Sequence, residues 1–109
     1  MKSVKEIMKP VKMEKLVEYS DDSIVSKTLV EKKGGTVTAF AFAAGQALSE
    51  HSAPFDALVQ VLDGDGFFTV GGKVFNVNAG EILLMPADVP HSVDAKNRFK
   101  MLLTMIHHK

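Results

Sequence analysis

The sequence predicts an all-β sandwich or barrel. Three observations carry that prediction. Short segments rich in β-branched and aromatic residues recur at about 8–12-residue spacing, with Gly, Asp and Asn turns between them. No helical periodicity continues past Ile24. The segments also follow one another without the long helical crossovers that a parallel sheet requires. At 109 residues the chain is one domain, and its 46% hydrophobic content can build a core without a disulfide or a metal.

Taken in order, residues 1–23 form a polar N-terminal arm, and residues 24–109 form the barrel domain. In the arm, Val4, Ile7, Met8 and Val11 have helical spacing, but Pro10 lacks the N–H that would continue a helix. One helical turn is expected there, then an extended piece at Lys15–Tyr19 and a turn at Asp21-Asp22-Ser23. Lys2, Lys5, Lys9, Lys12 and Lys15 against Glu6 and Glu14 make the arm mildly basic, as a solvated tail would be.

Ile24–Glu31 alternates and is rich in β-branched residues. Lys33-Gly34-Gly35 turns, and Thr36–Phe42, TVTAFAF, alternates again. Ala57–Leu62 is a strand, Asp63-Gly64-Asp65-Gly66 a turn, and Phe67–Val70 a strand. Gly71-Gly72 is a two-residue hairpin signal, because both central positions tolerate positive φ. Lys73–Val77, Glu81–Met85, His91–Asp94 and Arg98–Ile106 complete the strands, with a loop at Pro86–Pro90. Phe67-Phe68 puts one aromatic on each strand face, so one ring is expected to need cover.

Composition excludes several classes. There is no cysteine, hence no disulfide, thiolate metal site or cysteine nucleophile. Thirteen basic and 13 acidic residues give zero formal charge, without a general attraction to nucleic acid or to an acidic membrane. No apolar run reaches the roughly 18 residues of a membrane helix, and the N-terminus lacks a signal-peptide core. A cytoplasmic protein with neither nucleic-acid nor membrane partner is expected.

Two stretches carry the candidate chemistry. One is Gly45–Gly64, GQALSEHSAPFDALVQVLDG, with His51 inside it; the other is Gly80–His91, GEILLMPADVPH. Over about Ile24 to Ile106 the chain resembles the cupin family, whose two motifs are G(X)5HXH(X)3,4E(X)6G and G(X)5PXG(X)2H(X)3N. Gly45, His51 and Gly64 fall in register with the first motif, and Gly80, Pro86 and His91 with the second. The resemblance implies a double-stranded β-helix, or jelly-roll barrel.

The departures bear on function. Ala53 stands at the motif's second histidine, Ala57 at its glutamate, Asp88 at a glycine and Ala95 at the asparagine. In metal-binding cupins two histidines and a glutamate of the first motif join the histidine of the second around one ion. Here His51 and His91 remain, an incomplete set. A stable site normally takes three or four protein ligands, and the absent glutamate was the anionic oxygen that hard cations favour. Two imidazoles plus waters would hold a divalent transition metal weakly. Strand alternation places Ala57, Val59 and Val61 on one face and Leu58, Gln60 and Leu62 on the other. Gln60 therefore faces away, and Asp56 turns inward only if the Pro54-Phe55 break shifts the register. Glu50, next to His51, faces the other way.

The expected pocket is marked by His51 and His91 and lined by Phe55, Met85, Met101 and Met105; by residue type the methionines are core first. His107 and His108, beside the C-terminus, are expected to be exposed, with the alternative that one folds back, since adjacent strand residues face opposite ways. Three functions compete. The first is a small-molecule-binding barrel, because Ala53 and Ala57 enlarge and dry the pocket. The second is a metal-dependent cupin enzyme (a dioxygenase, decarboxylase or isomerase) acting on a small organic substrate. The third is a structural or regulatory homodimer, which the resemblance also implies. The fold alone does not choose among them; the binding module ranks first.

Overall fold

Nine strands, β1 Lys2–Ser3, β2 Ile24–Lys32, β3 Gly35–Phe42, β4 Ala47–His51, β5 Phe55–Val70, β6 Lys73–Asn78, β7 Ile82–Met85, β8 His91–Asp94 and β9 Phe99–His107, fold into a double-stranded β-helix in a computed structural model that describes residues 2–107. Every pairing is antiparallel. Two sheets share β5. Its first half lies between β9 and β7, in the sheet that continues through β3, β2 and β1. Its second half pairs with β6 and with β8, and β8 pairs with β4. Among the described residues no helix is long and apolar enough to cross a membrane.

The predicted turn at Asp63–Gly66 is instead a bend within one continuous 16-residue strand. Gly64 has φ +72°, and a Cβ there would lie 2.4 Å from the Arg98 carbonyl oxygen. A Cβ on Gly66 would lie 2.7 Å from the Phe99 ring. These glycines permit close approach rather than reversal, and the bend carries β5 from one sheet to the other. Gly71 and Gly72, with φ +57° and +84°, do form the predicted two-residue hairpin between Val70 and Lys73.

Alternation decides what enters the barrel. Ala57, Val59 and Val61 are buried, as are Phe42, Phe68, Phe99 and Met101. Phe42 stacks on Phe99 at 4.7 Å, and Phe68 meets Phe99 edge-on at 5.9 Å. Burying each such ring is worth about 1.5–3 kcal/mol. Phe67, on the opposite face, is half-buried, with the Lys96 ammonium 4.4 Å from its ring centroid. Cover for that aromatic thus comes from within the chain.

The arm departs from the expected solvated tail. It makes single 3-10 turns at Lys5–Ile7 and Met13–Lys15, and Lys15 is not extended. Leu16 and Val17 are buried in a second cluster with Leu29, Ala39 and Ala41 on the outer face of β2 and β3. The Tyr19 hydroxyl donates to Asp63 at 2.6 Å, and the buried Lys100 ammonium donates to the Glu14 carbonyl at 2.5 Å. Two adjacent apolar residues at the end of a turn leave no periodic signal, yet they anchor the arm.

Candidate functional site

The two interstrand crossings near the histidines lie at one end of the barrel. Residues 52–54 carry the chain from β4 to β5, and residues 86–90 carry it from β7 to β8. The crossings are tied together: the Asp88 N–H donates to the Ala53 carbonyl at 2.8 Å, and the Ala87 N–H donates to Asp56 Oδ1 at 2.9 Å. Asp88 has φ +65°, the left-handed conformation that explains why a glycine suits this position.

This frame brings His51 and His91 together. They are direct cross-strand partners on β4 and β8, with ring centroids 4.4 Å apart at 67°. His91 is 8% exposed and shares its inward side with the buried Val93 and Ala95; His51 is exposed, at the rim. The Nδ1 of His51 lies 2.9 Å from the Ser49 carbonyl, and that of His91 lies 3.2 Å from the Val89 carbonyl. A carbonyl only accepts, so each Nδ1 carries the proton and donates. A ring whose single proton sits on Nδ1 keeps its lone pair on Nε2, where a ligand can donate to it.

The facing sheet supplies an apolar wall. Thr36, Met105, Ala57 and Met85 are successive cross-strand partners on β3, β9, β5 and β7. Ala57 and Met85 are buried, and Met105 is half-buried against the core. Met101 is a core side chain, 1% exposed. Phe55, half-buried, lies against His107 with ring centroids 4.2 Å apart and planes tilted by 33°, and His107 Nδ1 donates to the Lys33 carbonyl at 3.1 Å. His107 is therefore engaged rather than free in solvent; His108 lies outside the described residues. Thr36 was missed by sequence reasoning, although the TVTAFAF alternation that turns Phe40 and Phe42 inward turns Thr36 inward as well.

The metal donors expected of such a barrel end are not gathered. Among the described residues no group of three or more His, Asp or Glu is placed to hold an ion. Asp56 is held to the Ala87 N–H, Glu50 is exposed, and Gln60 sits on the outer face opposite Ile82 and Leu102. Two imidazoles alone do not fit a resident metal. Burial and the Asp63 carboxylate push the Tyr19 phenol well above its ordinary range, and hydrogen bonds from Asn78 hold Glu81 below the usual carboxylate range.

Residues 33–106 match the AraC-like ligand binding domain. A conserved protein of unknown function from Streptococcus pyogenes is 32% identical, with a TM-score of 0.88 over 93% of this chain and 89% of that one. A cupin 2 conserved barrel domain protein from Leptotrichia buccalis is 46% identical, with a TM-score of 0.84 over 86% of this chain; the match spans 46% of that longer chain. A cupin superfamily protein from Desulfitobacterium hafniense is 26% identical, with a TM-score of 0.87 over 92% of each chain. No curated protein matches.

Proposed function

Since the chain belongs to the AraC-like ligand-binding domain family, a cupin-type barrel, we propose that it is a small-molecule-binding module whose pocket is the barrel end between His51–His91 and the wall of Phe55, Met85, Ala57 and Met105, without a resident metal. One observation carries this reading. The paired imidazoles remain, 4.4 Å apart and each oriented by a backbone carbonyl, whereas the positions that would complete a metal shell are Ala53 and Ala57. On this reading the barrel end is a largely apolar recess to which the two rings present their Nε2 acceptors, the usual chemistry of a small-molecule site.

Metal content and ligand binding together test the proposal. The protein as purified should contain far less than one equivalent of transition metal. Hits from a thermal-shift screen of small organic acids, polyols and aromatic compounds should persist in EDTA. They should weaken in both His51→Ala and His91→Ala. Stoichiometric metal that resists EDTA and is lost in both variants would replace this reading with the metal-dependent enzyme.

A further inference from the structure

We infer that Thr36 supplies a second polar contact inside the pocket, so that the molecule held there is small, carries a hydrogen-bonding group at each end and has an apolar middle. This inference rests on the reading of the His51–His91 end as a binding pocket. The Thr36 hydroxyl oxygen is shielded from solvent and has no hydrogen-bond partner; it is the single such side-chain atom among the described residues. Buried polar groups are rarely left unpaired, and one that stays unpaired at a recess is poised for an incoming partner.

Its position fits that role. On β3, Phe40 and Phe42 belong to the barrel core, while Val37, Ala39 and Ala41 belong to the outer cluster under the arm. Thr36 has the parity of the two phenylalanines and therefore faces inward. It stands in the row Thr36–Met105–Ala57–Met85, two strands from Ala57, or about 10 Å at ordinary strand spacing. That separation is too great for the threonine to substitute for the missing glutamate. It suits a bridging molecule that lies along Met105, a side chain whose flexibility adapts to varied shapes. At the other end each imidazole has its Nδ1 engaged by a carbonyl and leaves Nε2 for the ligand, so the molecule brings an O–H or N–H donor to His51 or His91. Thr36 both donates and accepts, and takes a hydroxyl, amide or carbonyl.

The test uses α,ω-diols of four to six carbons against the matching 1-alkanols, titrated into the full chain and followed by the Met85 and Met105 methyl signals and the imidazole signals. The wild type should bind each diol more tightly than its alkanol. Thr36→Val should remove about 3- to 10-fold of the diol affinity and leave the alkanol affinity unchanged. Thr36→Ser should keep the preference. The melting temperature of ligand-free Thr36→Val should be equal to or above that of the wild type, because the replacement removes an unpaired hydroxyl without leaving a void. The inference alone is overturned by diol preference retained in Thr36→Val, as it would be if the hydroxyl only held an ordered water, or by a melting temperature several degrees lower, which would mark a structural hydroxyl. Equal binding of diols and alkanols by the wild type has the same consequence. If neither class perturbs the pocket signals, the pocket reading falls with it.

Discussion

Gly64→Ala is the sharpest test of how this chain aims its barrel end, because Gly64 sits at the bend where β5 leaves one sheet for the other. Two terms act on the variant. An L-residue at φ +72° costs about 1–2 kcal/mol. The new methyl would also lie 2.4 Å from the Arg98 carbonyl oxygen and 3.1 Å from the Phe99 Cβ, so β9 must shift; overpacking of this kind costs about 1–3 kcal/mol. The stiffer unfolded chain returns roughly 0.4–1 kcal/mol. The net loss is about 1–4.5 kcal/mol, a large part of the roughly 5–15 kcal/mol that stabilises a typical domain. Gly45→Ala is the internal control. It has a similar left-handed φ, +89°, with nothing within 4 Å of the added carbon, so about 1 kcal/mol or less is expected. Urea denaturation of the wild type and both variants gives the difference directly. At roughly 4–8 °C per kcal/mol, thermal melts should separate the two variants by about 5–20 °C. Equal losses within about 0.5 kcal/mol would refute the idea that close approach to β9, rather than backbone handedness alone, requires glycine at the bend.

Two further predictions follow from other parts of the molecule. Tyr19 is the one tyrosine of the chain, so phenolate absorbance reports it alone. Its folded pKa is raised by burial and by Asp63, so the stability it contributes is complete below the unfolded value of about 10 and is lost as the pH rises beyond it. Tyr19→Phe should flatten that alkaline loss, and a phenol titrating near pH 10 in the still-folded wild type would contradict the Tyr19–Asp63 bond. At the proposed pocket, the double variant Ala53→His and Ala57→Glu should acquire metal. Without metal the new carboxylate, at a position 4% exposed beside Met85 and Met105, should lower the melting temperature, and Co²⁺ or Zn²⁺ should restore it by binding the folded state. No metal-dependent gain would mean that the alanines do not face the imidazoles.

The barrel was legible where backbone geometry restricts the residue. Gly45, Gly64 and Gly80 all have positive φ, so their spacing reports left-handed positions at fixed points of the fold. His51 and His91 were legible through the same register, because each follows its glycine by a set number of residues and the two strands then meet as partners. Other features had no such constraint. β4 was missed because ALSEH is a largely exposed edge strand without apolar alternation. The turn assigned at Asp63–Gly66 failed because glycine serves close approach as well as reversal. Thr36 looked unremarkable because a threonine in an alternating strand usually faces water; only the burial of its neighbours shows that this one does not.

The two alanines also separate what holds the barrel end in place from what acts there. The Ala53 carbonyl accepts the Asp88 N–H, Asp56 accepts the Ala87 N–H, and the Ser49 and Val89 carbonyls orient the imidazoles. Of these acceptors only Asp56 uses a side chain; the rest are backbone. A histidine at position 53 or a glutamate at position 57 is therefore unnecessary for the geometry of the end, and their replacement by alanine changes the chemistry without dismantling the frame. The imidazole pair takes its orientation from the Ser49 and Val89 carbonyls, and backbone contacts of this kind are what a binding site needs if its hydrogen-bond acceptors are to be in place before a ligand arrives.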